Sequence, residues 1–183
     1  MAGKTGTLVI LTGPSGVGKG SIVAELVKFR ENLKLSTSVT TREKRSKEKD
    51  GVDYFFRTKN EFMGMVNAGE FLEYADYNSN YYGTPVNYVF DNINAGFNVI
   101  LEIEVKGAFQ VKRKHPSAVL IFVVPPSMAE LVLRLRNRRT NTEDDIMRRL
   151  AIAESELVKA CEFDYIVVND KIENAVDEIL KLI

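Results

Sequence analysis

The chain has 183 residues, 45% hydrophobic and 27% charged, long enough for one well-buried core and short for two independent ones. Lys and Arg together number 25, balanced by 25 Asp and Glu, so no net field draws it onto nucleic acid or an anionic membrane. One cysteine, Cys161, excludes an internal disulfide, and with the single histidine, His115, it leaves a zinc site without a ligand set.

The opening Met1-Ala2-Gly3-Lys4-Thr5 has no signal-peptide apolar stretch. No run approaches the ~18 apolar residues of a membrane span, so a cytoplasmic protein is expected. The first apolar run, residues 7–12, has the character of a buried strand. Directly after it comes Gly13-Pro14-Ser15-Gly16-Val17-Gly18-Lys19-Gly20-Ser21, and then a helical pattern to residue 30. Strand, Gly-rich turn and helix in that order form a phosphate-binding loop. Its glycines let backbone N–H groups converge on an anion, Lys19 adds a point charge, and the helix offers its positive end. Ile22, Val23, Leu26, Val27 and Phe29 are spaced as a core-facing stripe. Gly20 stands where a metal-binding hydroxyl usually follows the Lys. This Gly-Lys-Gly-Ser order resembles nucleoside monophosphate kinases and makes Ser21 the candidate Mg²⁺ contact, direct or through water.

Three later apolar runs, Asn98–Ile103, Ala118–Val124 and Tyr165–Val168, alternate with helical patterns at about 104–114, 127–137, 142–161 and 171–182. That rhythm predicts an α/β fold, a parallel sheet core flanked by helices. Residues 35–96 break it, with extended pieces at Asp53–Arg57 and Phe71–Tyr77 and helices near 58–67 and 86–95. They predict an inserted mixed α+β subdomain with a partly antiparallel sheet. The expected division of the single domain is a core of 1–34, 97–125 and 162–183, the insertion at 35–96, and a helical lid with its following helix at 126–161. Cys161 is expected as a small buried thiol on the long helix, and His115, before Pro116, as solvated.

Transfer of phosphate between nucleotides needs a second anion site, and the insertion supplies Arg42 and Arg45, three apart and able to share one phosphate. The run Ser36-Thr37-Ser38-Val39-Thr40-Thr41-Arg42-Glu43-Lys44-Arg45-Ser46-Lys47-Glu48-Lys49-Asp50-Gly51-Val52-Asp53-Tyr54 resembles the GMP-binding segment of guanylate kinases. The likeness continues through residues 69–75, 80–84, 101–108, 148–150 and 163–170, with matching spacing over nearly the whole chain. It implies that Arg42, Arg45, Tyr54 and Tyr82 hold the GMP phosphate. It implies also that Ser38, Glu73 and Thr84 read guanine, with Gly83 among the GMP-binding residues. A carboxylate at Glu73 can accept from N1–H and the 2-amino group, while hydroxyls of Ser38 and Thr84 donate to O6. Glu102 is placed on the guanine side or near the hydrated Mg²⁺. Arg138 and Arg149 are placed on the transferring phosphoryl group with Arg134 in support, and Asn169 near adenine.

Three positions depart from the family's usual residues: Glu104 for Asp, Lys106 for Gln, and Arg139 for a Gly in the lid turn. The expected activity is ATP + GMP ⇌ ADP + GDP with Mg²⁺, with ATP and GMP as partners and neither nucleic acid nor membrane. A peptide-binding module, a kinase of another monophosphate and a GTP switch are the competing readings. The intact Gly18-Lys19 and the arginine-bearing lid oppose the first, and Glu73 with Ser38 and Thr84 the second. The absence of an Asn-Lys-x-Asp element opposes the third.

Overall fold

The continuous apolar run of the first strand explains the core. The computed structural model describes residues 5–77, 79–137 and 142–183. In it β1 (Leu8–Thr12) is buried along its whole length. It is followed by α1 (Lys19–Phe29), β2 (Leu33–Leu35), β3 (Val39–Thr40), β4 (Phe55–Phe56), α2 (Lys59–Asn67), β5 (Phe71–Tyr77) and β6 (Asn80–Pro85). Then come α3 (Val86–Asn94), β7 (Asn98–Glu102), α4 (Val105–Lys114), β8 (Val119–Val124) and α5 (Met128–Asn137). The chain ends with α6 (Glu143–Leu157), a 3₁₀ turn at Ala160–Glu162, β9 (Tyr165–Val168) and α7 (Ile172–Leu182).

The main sheet has the order β2-β7-β1-β8-β9 and is parallel throughout. Helix-linked parallel strands must be covered on both faces, and successive residues of β1 divide accordingly. Leu8 and Ile10 pack with Val105, Ala108 and Val111 of α4 and with Phe163. Val9 and Leu11 pack with Ile22, Val23 and Leu26 of α1 and with Ala175, Val176 and Ile179 of α7. The helical stripe of α1 is narrower than its sequence implies: Val27 and Phe29 are exposed, because only one face of α1 meets the sheet and α7.

The insertion forms a second sheet, β4-β3-β6-β5, mixed as expected: β3–β4 is parallel, β3–β6 and β5–β6 antiparallel. Phe62 of α2 stacks on Phe71 and Tyr81 beneath it. Two expectations fail. The long helix ends at Leu157, and Cys161 falls in the 3₁₀ turn with its thiol side exposed. His115 is not simply solvated, since its ring lies 4.7 Å from that of Phe90 and is partly covered.

Candidate active site

At the C-terminal edge of β1 the chain turns through Gly13, Gly16 and Gly18, all with positive φ. At two of them a side chain has no room in any case. A Cβ on Gly13 would lie 2.2 Å from the carbonyl oxygen of Val123, and one on Gly18 2.5 Å from Asn169 Nδ2. Lys19 is the first residue of α1, and its Nζ donates to the carbonyls of Gly13 and Pro14. Pro14 and Val17 are buried, Ser15 stands at the exposed tip, and Ser21 is exposed in the first helical turn. A Cβ on Gly20 would sit 3.7 Å from Glu102 Oε2, so this carboxylate lies beside the start of α1.

Two predicted nucleotide contacts lie behind the loop. Asn169 is 3% exposed; its Nδ2 donates to Val17 O at 2.7 Å, and its Oδ1 is buried without a hydrogen-bond partner. Arg134 donates to the same Val17 carbonyl at 3.3 Å and to Asp170 O at 3.4 Å, and pairs with Glu130. Both therefore brace the loop from beneath. Arg149 of α6 faces it from above, with Nη1 3.5 Å from Ser15 Oγ. Arg138 and Arg139 lie outside the described residues.

Across the cleft, β3, β5, β6 and the first turn of α4 converge. Glu73 is 5% exposed and paired in register with Thr84. The Thr84 hydroxyl donates to Glu73 Oε1 at 2.7 Å. Thr84 is 0% exposed, and its hydroxyl holds the carboxylate from within the strand pair. Ser38 lines the pocket. Gly83 is buried under the Phe71 and Phe62 rings, which leave no room for a side chain. Tyr54 and Tyr82 meet edge-on at 6.0 Å, with the Arg42 guanidinium 5.5 Å from the Tyr54 ring. Arg45 is exposed and does not line the cavity beside Glu73.

Burial raises the Glu73 carboxyl above the usual carboxylate range, against the hydrogen bond from Thr84. Glu102 is open to the cleft yet closely surrounded. Desolvation pushes it up, and Lys19 pulls it back. Both cavities share a wall. One, of about 200 Å³, is lined by Ser38, Tyr54, Glu73 and Tyr82 among others. The second, of about 440 Å³, is lined by Gly13, Ser15, Lys19 and Arg149. Glu102, Ile103 and Glu104 belong to both, so a molecule in each would meet at that wall.

Sequence reasoning left two carboxylates without a role. Glu48 accepts both arms of Arg42, at 2.7 and 3.1 Å, and the backbone N–H of Arg45 at 2.8 Å. Only its place six residues beyond Arg42 hints at this. Glu156 enters the larger cavity from α6, desolvation raising its carboxyl while Lys19 opposes. Its signal is helical spacing: Arg149, Ile152 and Glu156 share one face of α6 and all line that cavity.

The guanylate kinase family profile matches residues 5–183. A guanylate kinase of Oceanobacillus iheyensis is 47% identical over 183 residues, covering 100% of this chain and 89% of that protein. One from Synechococcus is 48% identical over 178 residues, covering 97% of this chain and 82% of the relative. Among solved structures, the guanylate kinase of Anaplasma phagocytophilum superposes with a TM-score of 0.78 at 33% identity, covering 100% of this chain and 86% of the other. A shikimate kinase from Bacteroides thetaiotaomicron, at 17% identity and TM-score 0.51, shares the fold alone.

Proposed function

The chain belongs to the guanylate kinase family, and from that premise we propose that it moves the γ-phosphoryl group of ATP to GMP, giving ADP and GDP in purine nucleotide metabolism. The observation that carries this reading is the shared wall. A phosphate loop opens on one side of Glu102–Glu104, and on the other lies the buried carboxylate of Glu73 with Tyr54, whose ring stands 5.5 Å from the Arg42 guanidinium. In this reading residues 35–96 form the acceptor subdomain and 126–161 the lid.

The reaction needs little covalent help. A GMP phosphate oxygen, already ionised, attacks the γ-phosphorus; the bond to the β,γ-bridging oxygen breaks, and ADP leaves with the electron pair. No general base is required. Catalysis rests on positioning and charge neutralisation. Gly13 to Gly20 cradle the ATP phosphates and Lys19 neutralises them. Arg42, Arg45, Tyr54 and Tyr82 hold the acceptor phosphate, and Arg149 together with Arg138 closes over the transferring group. Asn169 supports the loop next to the adenine side. Closure over the cleft excludes water, which would otherwise compete as acceptor.

Bound Mg²⁺ supplies charge neutralisation on the β,γ-phosphates. The Ser21 hydroxyl and Glu102 carboxylate, hard oxygen donors beside Lys19, are the residues that would hold it, directly or through water. Among the described residues no group of three or more His, Cys, Asp or Glu could hold a metal ion. The partners in this reading are the two nucleotides, in the cytoplasm and without nucleic acid. No helix among the described residues is long and apolar enough to cross a membrane.

Glu48 enters as a positioning residue. Held bidentately, the Arg42 guanidinium still has donors to spend on a phosphate, since the fork carries five. Glu48→Gln removes the charge that fixes the fork and is expected to raise KM for GMP about tenfold, the value of one charge-assisted hydrogen bond, with KM for ATP unchanged. Steady-state kinetics in each nucleotide check this; equal shifts in both constants would mean general loosening.

The direct test of the activity is ADP production from ATP and Mg²⁺ with GMP, AMP, CMP or UMP as acceptor, beside a control with none. Turnover with GMP alone is expected. Equal use of AMP would overturn the guanine assignment, and no acceptor-dependent turnover would overturn the kinase reading.

A further inference from the structure

Gly107 lies in the first turn of α4, fully covered, and its backbone does not call for glycine. It is absent from the positive-φ glycines among the described residues. In a helix, glycine is the poorest choice after proline. What requires it is space. A Cβ built there would stand 2.7 Å from Glu73 Oε2, 3.3 Å from its Cδ and 3.4 Å from its Cγ. The oxygen contact is well inside ordinary van der Waals separation.

Glu73 has little freedom to retreat. Its backbone is paired with Thr84 in the β5–β6 ladder, its Oε1 is taken by the Thr84 hydroxyl, and the residue is 5% exposed. The carboxylate is thus clamped between Thr84 on one side and the first turn of α4 on the other. We propose that Gly107 is a specificity-determining position, whose missing side chain forms the slot that keeps both Glu73 oxygens turned to the guanine N1–H and 2-amino group.

This rests on the reading of the pocket as the GMP site. Each carboxylate oxygen has capacity for more than one hydrogen bond, so Oε1 can serve Thr84 and the base together. Oε2 is the atom that any side chain at 107 would turn first. Displaced, it leaves one guanine donor buried and unpaired, and a polar site loses discrimination steeply in that situation.

The test compares the full chain with Gly107→Ala, using GMP and inosine monophosphate, which lacks the 2-amino group. G107A is expected to lower kcat/KM for GMP about 100-fold, to change that for inosine monophosphate several-fold less, and to leave KM for ATP unchanged. A preference for GMP over inosine monophosphate equal to that of the wild type would overturn the inference, whatever happens to overall rate. A second background guards against misfolding. Glu73→Asp shortens the side chain by one methylene and withdraws it from position 107, so G107A added to E73D is expected to fold and to cost nothing further. Additive losses, or failure of G107A/E73D to fold where E73D folds, would mean that 107 packs on something other than Glu73. A wild-type chain that phosphorylates no GMP overturns the pocket reading itself. One that does, beside a G107A with unaltered selectivity, overturns this inference alone.

Discussion

Replacing Lys19 by Ala is expected to lower kcat for GMP phosphorylation by about 10³-fold or more, with folding largely retained. The magnitude follows from where the charge sits. Removing one preorganised donor from developing negative charge costs on the order of 10²–10³ in rate, and cations on a transferring phosphoryl group supply 10³–10⁵. Lys19 is fixed for this role by its position as the first residue of α1, with its stem leaving the helix toward the Gly13 and Pro14 carbonyls. In the absence of nucleotide the ammonium therefore caps the loop's own oxygens. With nucleotide bound, phosphate oxygens are the stronger acceptors, and Nζ has three donors to share between the two sets. Because these hydrogen bonds are only part-buried, with Lys19 itself half-exposed, water can replace Nζ there, and the stability loss is small beside the kinetic one. Measuring kcat with saturating GMP and ATP, alongside the thermal midpoint, separates the two. Near-normal kcat in K19A would remove the phosphate loop from the mechanism.

The phosphate loop is the part of this protein most legible in its sequence, for a physical reason. Closing a backbone around an anion needs glycine at Gly13 and Gly18, where a side chain would strike Val123 O or Asn169, and those glycines are visible as letters. The parallel core is equally legible, because strands buried on both faces must be continuously apolar. Its edge is not: β2 is only Leu33-Lys34-Leu35, too short and mixed to stand out, and it joins the sheet through β7, which lies more than sixty residues later. Sites made by pairing across strands are also hidden. That Thr84 donates to Glu73 depends on the β5–β6 register, with a bulge between Phe71 and Glu73; spacing alone gives both residues a pocket role without showing that they bond to each other. Cys161 failed for a related cause. The helical pattern after Glu143 stops at Leu157, and without a Gly or Pro to mark the end the next four residues look like more of the same face. Gly107 is invisible from sequence because a glycine in a helix signals only poor propensity; its purpose lies on another element, in the carboxylate of Glu73.

Glu73→Gln is the second large expected effect, a fall of about 10³-fold or more in kcat/KM for GMP with KM for ATP unchanged. Guanine presents two donors side by side, N1–H and the 2-amino group, and a carboxylate presents two acceptors. An amide presents one acceptor and one donor, so one guanine hydrogen faces another N–H in a pocket where Glu73 is only 5% exposed. Sites of this kind discriminate by 10⁴–10⁵ because the mismatch leaves buried polar groups unpaired. The pH dependence supplies an independent readout. Burial raises the Glu73 carboxyl, with Glu104 adding to the rise and Thr84 and Lys114 opposing it. The acceptor pair exists only when the group is ionised, so wild-type kcat/KM for GMP falls as pH drops through that raised value. E73Q lacks this inflection, while titration of the GMP phosphate is common to both proteins and cancels in their ratio. Stability moves the other way. Between the ordinary carboxylate pKa of the unfolded chain and the raised folded value, the folded state binds more protons, so stability falls as pH rises through that window. Above it the ionised, buried Glu73 is a net cost that the neutral amide does not carry. The thermal midpoint of E73Q at pH 7 is therefore expected to equal or exceed that of the wild type even as GMP turnover collapses. A variant that loses both stability and activity, or one that still prefers GMP to AMP, would show that guanine is not selected by this carboxylate.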